Sequence, residues 1–206
     1  MKQYCETCIY ETLPSESINL KAKETLFREG DTLNYVYKIK EGLLKMSRLH
    51  ANGDEKVFDI LGPLDYVALI IALKGKIEYI VSAEALTNVS LIKMKLQDVL
   101  NAYKSKPLFQ QSCLNCAVTR STQFQNSLFQ ISNIDVEEKI LAIMQILANK
   151  FGTKNEHEIE VVLPFSKTVL ANLCGIRRET LSRKLSEMQK MGIIKVKGNV
   201  YKMRHL

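Results

Sequence analysis

Apolar and polar positions change period several times along this chain, and each change predicts a change of element. From Lys23 to Met94 the apolar positions come in short runs closed by turn residues. Thr25-Leu26-Phe27 precedes Glu29-Gly30-Asp31, and an alternating Tyr35-Val36-Tyr37-Lys38-Ile39 precedes Glu41-Gly42. Leu43 to Leu49 ends at Ala51-Asn52-Gly53-Asp54, and Val57 to Leu61 ends at Gly62-Pro63. Two more apolar runs flank Lys74-Gly75-Lys76. Strands this short and regular predict a small antiparallel barrel or roll. Leu96 to Tyr103 predicts a short helix.

The period then lengthens. A long helix is expected from Pro107, whose fixed φ suits a first turn. Along it Leu114, Ala117, Ser121, Phe124, Leu128 and Ile131 recur at alternating spacings of three and four, the seam of a two-stranded coiled coil. The seam predicts a homodimer; its alternative is a helix packed on its own sheet. Asn133-Ile134-Asp135 breaks the pattern, and Asp135 can cap a further helix, Val136 to Phe151, with Glu137 and Glu138 in its first turn. Gly152 to Glu158 reads as a polar connector.

Ser166 can cap a helix through Leu173, Gly175 can end it in the left-handed conformation, and a second helix is expected from about Arg178 to Lys190. Leu170, Leu173, Ile176, Leu181, Leu185 and Met188 share one apolar face, with small Ala171 where the two helices come closest. The opposite face of the second helix carries Arg178, Glu179, Ser182 and Arg183. Arginine donates a fork to guanine, glutamate accepts from the cytosine amino group, and serine is adaptable. A solvated charged face is the plainer reading of such residues. The turn glycine, the close-contact alanine and these side chains together instead point to a DNA-reading helix-turn-helix. Ile193 to Val196 and Val200 to Met203 flank Gly198-Asn199, a hairpin signal that adds a wing.

Charge sharpens this picture. The net charge of the 206 residues is +7, and from Glu160 onward only Glu160, Glu179 and Glu187 oppose Lys167, Arg177, Arg178, Arg183, Lys184, Lys190, Lys195, Lys197, Lys202 and Arg204. The anion-binding charge therefore lies in the last quarter of the chain. No apolar run is long enough to span a bilayer, and Met1 to Cys8 is too polar for a secretory signal, so a cytoplasmic protein with no membrane partner is expected. Five cysteines in that compartment argue against a disulfide framework, and four form Cys-x-x-Cys pairs, Cys5/Cys8 and Cys113/Cys116. Such pairs suit a metal, a cluster or a redox switch.

A roll, a dimerisation helix and a winged helix, in that order, resemble the family of the cyclic-AMP receptor protein and the fumarate-nitrate reduction regulator (CRP/FNR). The most specific pieces are KETLFREGDTLNYVYKIKEGLLKMSRL, DEKVFDILGPLDYV and IRRETLSRKLSEMQKMGIIKVKGNVYKM. The resemblance implies an α+β chain: an N-terminal arm and antiparallel β-roll of the cyclic-nucleotide-binding (jelly-roll) type over 1–105, a dimerisation helix over 106–132, and a winged helix-turn-helix over 133–206. It also implies a transcription regulator, not an enzyme. Its partners would be a second copy of itself, palindromic double-stranded DNA and RNA polymerase. Carried onto this sequence, the base contacts are Arg178, Glu179, Ser182 and Arg183. Arg177 stands where many relatives have a Ser or Thr cap, exchanging the cap for a phosphate contact. The base-reading set mixes the cyclic-AMP type with the serine of the FNR type.

For the input signal the resemblance departs from the cyclic-nucleotide type. Where those members carry Gly-Glu-Leu this chain has Val67-Ala68-Leu69-Ile70, and their Arg-Ser falls near Tyr79-Ile80. A cyclic phosphate diester needs donors to replace its water, so cyclic AMP is not expected as a ligand. His50, His157 and His205 have no recognisable second haem ligand beside them. The chain is closer to the FNR type, whose members hold an oxygen-sensing iron–sulfur cluster on an N-terminal cysteine group plus one internal cysteine. With Leu114 at heptad position a, Cys113 and Cys116 fall on a face turned away from the seam, toward the subunit's own roll, where Cys5 and Cys8 on the N-terminal arm could reach them. Four thiolates would then close an iron–sulfur or zinc site, with a dithiol switch as the alternative. A thiol oxidoreductase is disfavoured, because neither pair follows a strand in a βαβ pattern. Three scattered histidines disfavour a cupin-like metalloenzyme. Cys174 reads as a small buried apolar residue.

Overall fold

The computed structural model describes residues 13–131, 135–154 and 158–204. In chain order the first elements are β1 (Ser15–Leu20), β2 (Thr25–Phe27), β3 (Tyr35–Glu41), β4 (Leu44–Leu49), β5 (Glu55–Leu61), β6 (Tyr66–Val67), α1 (Leu69–Leu73), β7 (Ser82–Ala85) and β8 (Val89–Lys95). Then follow α2 (Leu96–Ser105), α3 (Pro107–Ile131), α4 (Val136–Phe151), β9 (Thr153–Lys154), β10 (Glu158–Val162), α5 (Lys167–Cys174), α6 (Arg178–Lys190), β11 (Ile194–Lys197) and β12 (Val200–Arg204). They group into two compact units, the chain up to Arg48 with Asp59–Gln123, and Leu49–Phe58 with the chain from Phe124 on.

Strands β1 to β8 form the expected antiparallel roll. Its two sheets have strand orders β1-β8-β3-β6 and β2-β7-β4-β5. Strand β8 lies between β1, with Ile18 opposite Leu91, and β3, with Val36 opposite Met94 and Ile39 opposite Leu91. Burial does not simply alternate: adjacent residues are buried on β3 and β4, so parts of both strand faces are covered. Val36, Ile39, Leu91 and Met94 from one sheet and Leu44, Met46, Ala83 and Ala85 from the other are buried in one core. That core also receives Phe109, Cys113 and Cys116 from α3.

The second unit packs α4, α5 and α6 with a sheet of order β11-β12-β10-β9. Asp135 caps α4, its Oδ1 accepting from the backbone N–H of Glu137 at 2.8 Å and of Glu138 at 2.9 Å. Ile140, Met144 and Leu147, spaced four and three apart, form its buried stripe.

Four segments differ from the sequence reading. Strand β1 precedes Lys23, where the strand pattern was expected to begin; only Ile18 and Leu20 give it an apolar signal. The apolar run before Lys74 makes two residues of strand and then helix α1, because Ala68 takes a left-handed φ of 68° that ends β6 and opens the helix. A continuous apolar run cannot by itself separate strand from helix. Past Gly75 the backbone is held by an isolated bridge of Thr32 to Glu78 in place of a strand. Finally, the connector contains β9, and β10 follows it, each Glu of Glu158-Ile159-Glu160-Val161 half-buried and each aliphatic fully buried.

Candidate nucleic-acid interface and cysteine face

The helix pair is built as its sequence suggests. Ser166 Oγ accepts from the Val169 N–H at 3.4 Å, and Gly175, at φ 64°, closes α5 with its N–H directed to the Ala171 and Asn172 carbonyls. Ala171 is fully buried beside Leu170 and Cys174 of α5, with Leu181, Leu185 and Met188 buried on α6. Burial pushes the Cys174 thiol up to about 12, against the opposing pull of Lys139. It is a packing group, too hard to ionise to act as a nucleophile.

On the outer face Arg177, Arg178, Glu179 and Arg183 are exposed and Ser182 is half-buried. Arg177 occupies the N-cap position and makes no side-chain cap. The Ser182 carbonyl accepts from Ser186 Oγ at 3.0 Å, one turn further along this face. Arg183 Nη1 donates to Glu187 Oε1 at 3.5 Å, and Lys184 Nζ reaches Glu187 Oε2 at 3.1 Å. The hydrogen bond from Lys184 holds the Glu187 carboxyl below its ordinary range.

In the wing, Lys195 pairs with Glu158 at 2.9 Å and Lys202 with Glu160 at 2.7 Å. These two lysines contribute less free positive charge than a count of cations suggests, while Lys190 and Lys197 stand exposed. The pairing partners lie on β10, the strand the sequence reading passed over. The alternation of Glu158-Ile159-Glu160-Val161 was the signal that could have found it.

Helix α3 presents two chemically different faces. Cys113 and Cys116 are buried to 1% and 9% exposure, and they share a face with Phe109 that enters the roll core. Cys5 and Cys8 lie outside the described residues. Leu114 and Phe124 are 62% and 61% exposed, Ser121 is exposed, and Ala117 is half-buried. Val118, which the alternating three-four count leaves out, is exposed beside them. Leu128 and Ile131 continue α3, and their side chains are not among those described. Where α3 passes the roll's β5–β6 corner, Arg120 meets Asp59 at 2.8 Å and Asp65 at 3.8 Å.

Inside the roll, Val67 and Leu69 are buried and Ala68 separates them. Tyr79 is buried too. Its ring stacks on Phe27 with centroids 3.7 Å apart, and its hydroxyl donates to the Tyr35 carbonyl at 2.8 Å. Among the described residues, no three His, Cys, Asp or Glu side chains gather in a metal-binding arrangement. Only two of the four expected thiols are within that set.

Residues 17–106 match the Cyclic nucleotide-binding domain family, and residues 139–205 match the Crp-like helix-turn-helix domain family. The anaerobic regulatory protein of Haemophilus influenzae is 25% identical over 180 residues, covering 87% of this chain and 69% of that protein. The CRP-like cAMP-activated global transcriptional regulator of Mycobacterium tuberculosis is also 25% identical, over 184 residues covering 89% of this chain and 81% of that protein. Among solved structures, FixK2 from Bradyrhizobium japonicum shares the fold with a TM-score of 0.81 at 17% identity, covering 94% of each chain. Relatives with different inputs match at one level, so these likenesses give the family and leave the signal open. With both domains in family order over most of its length, the chain belongs to the CRP/FNR family of DNA-binding transcription regulators.

Proposed function

We propose that this regulator works as a homodimer on a palindromic DNA site, that it does not respond to cyclic AMP, and that its DNA affinity is set by a redox-sensitive centre on Cys5, Cys8, Cys113 and Cys116. The observation that carries the reading is the division of α3. One face buries two thiols, Cys113 and Cys116, against the roll, and the other exposes Leu114, Val118 and Phe124. A change at the thiols alters how the helix seats on the roll, and the same helix offers the apolar stripe for a second copy. Two recognition helices must fit half-sites about one helical turn apart, so a small change in their spacing changes affinity.

The two described thiols suit half of a tetrathiolate set. They are soft ligands, they lie one turn apart on one face, and the surrounding apolar core shields them from solvent. An iron–sulfur cluster would supply sensitivity to oxygen; zinc would supply structure alone. The FNR type is favoured over the cyclic-AMP type by the apolar residues at 67–70 and the stacked Tyr79, and by relatives named for anaerobic regulation. Exposed Arg178, Glu179 and Arg183 with half-buried Ser182 make the base-reading set, Arg177 a phosphate contact, and RNA polymerase is the further partner.

The test is anaerobic purification with an absorption spectrum and iron, sulfide and zinc analysis. DNA binding is then measured before and after air, in the parent and in single Cys→Ser variants at the four positions. An iron- and sulfide-containing protein whose affinity shifts on exposure is expected. A zinc protein whose affinity ignores air would make the centre structural, and metal-free protein with loss from only one pair would make it a dithiol switch.

A further inference from the structure

Four charges of alternating sign run from the start of α4 to the exposed face of α6. Glu137 Oε2 lies 3.9 Å from Lys184 Nζ, Lys184 lies 3.1 Å from Glu187, and Glu187 lies 3.5 Å from Arg183. Side-chain exposure rises steadily along the row, from 22% at Glu137 through 27% and 41% to 65% at Arg183. The inner end is fixed, because the Glu137 N–H is held by the Asp135 cap. The outer end is the guanidinium assigned above to base reading.

We propose that Glu187 is a positioning residue for sequence reading: it restrains the Arg183 guanidinium on the recognition face, and is itself tethered through Lys184 to Glu137. The proposal rests on the reading of Arg183 as a base contact. A free arginine side chain loses much rotamer freedom when its fork docks on a base edge, and a partner that restricts it beforehand lowers that loss. Residues four apart on a helix lie over one another, and Glu187 engages Arg183 through Nη1 while the side chain stays 65% exposed. The carboxylate also repels phosphate, which weakens binding to any sequence. The first effect acts only where the fork docks and so raises discrimination; the second lowers affinity for every duplex alike and leaves the ratio of enriched to random binding unchanged.

The experiment uses the full chain. The parent protein first enriches a duplex from a pool with a randomised core. Binding is then titrated on that duplex, on its single-base-pair variants and on random duplex, for the parent, Glu187→Gln, Arg183→Ala and the double variant. Glu187→Gln is expected to lower the ratio of enriched to random binding by roughly two- to fivefold, the scale of an exposed ion pair. The loss should be confined to the base pair whose preference Arg183→Ala relaxes, and it should vanish in the Arg183→Ala background. Equal change on enriched and random duplex, or an undiminished effect without Arg183, overturns the positioning role. If Arg183→Ala relaxes a base pair and Glu187→Gln does not, only that role falls. If Arg183→Ala relaxes none, the base-contact assignment itself falls.

Discussion

Arg120, four residues beyond Cys116 on α3, donates through Nη2 to Asp59 of β5 at 2.8 Å. Cys116 and Arg120 therefore lie on one side of the helix, the thiol in the roll core and the guanidinium on the roll's rim. Asp65 adds a second carboxylate at 3.8 Å, and each of the three side chains is at most one-third exposed. Arg120→Gln would remove the cation that both Asp59 and Asp65 reach. We expect it to cost roughly 1.5–3 kcal/mol, the range for a hydrogen bond to a charged group. Urea unfolding measures the loss, and Asp59→Asn in the same background should restore part of it by removing one of the two negative charges. No change in the midpoint for Arg120→Gln would mean the ion pair does not hold α3 to the roll.

The exposed stripe of α3 separates folding from association. Leu114 and Phe124 are more than half exposed in the single chain, so Leu114→Glu with Phe124→Glu removes little burial from the subunit. In a dimer the same changes place like charges inside a buried interface. Sedimentation should show monomers with an unchanged far-ultraviolet spectrum. A dimer mass that survives both substitutions would move the interface elsewhere.

The helix-turn-helix was legible because its signals are local. Ser166, Ala171 and Gly175 each act within one turn of the backbone they shape, and the heptad phase around Leu114 sufficed to turn Cys113 and Cys116 toward the roll. What was not legible depends on distant partners or on conformations the residue type does not announce. Nothing about an alanine marks Ala68 for a positive φ, yet that one dihedral turns an apolar run into α1. Arg120 and Asp59 are 61 positions apart, and neither has a periodic pattern that would pair them. The stacking of Tyr79 on Phe27 likewise brings together two runs that read separately as strand. Val118 was passed over for a different reason, since a strict seam count admits one residue per half-heptad and the exposed stripe is broader.

Arg177 tests the division between position and sequence. It stands exposed at the start of α6 and caps nothing. Arg177→Ala should weaken enriched and random duplex by similar factors and lower the slope of log affinity against log salt by about 1. Arg183→Ala should instead cost roughly 1–3 kcal/mol on the enriched duplex alone. A selective loss from Arg177→Ala would make that side chain a base contact.

The aromatic stack of the roll carries a pH signature of its own. Burial is the main force raising the phenols of Tyr37 and Tyr79 above their ordinary range. An unfolded chain releases such protons near pH 10, while the folded chain still holds them. The unfolded state therefore binds fewer protons there, and stability that is complete below about pH 10 declines as the pH rises beyond it. Tyr37→Phe removes one of these groups and keeps the ring, so the two proteins differ at neutral pH by a fixed gap. As the pH climbs past about 10 the parent loses what Tyr37 contributes and the variant does not, so the gap between their urea midpoints should narrow. Lysines lose protons in the same range, but they do so in both proteins, so the difference isolates the phenol. A gap that stays constant from neutral to strongly alkaline pH would mean that Tyr37 ionises freely in the fold, and that the interior beside Tyr79 is open to water rather than filled by packed rings.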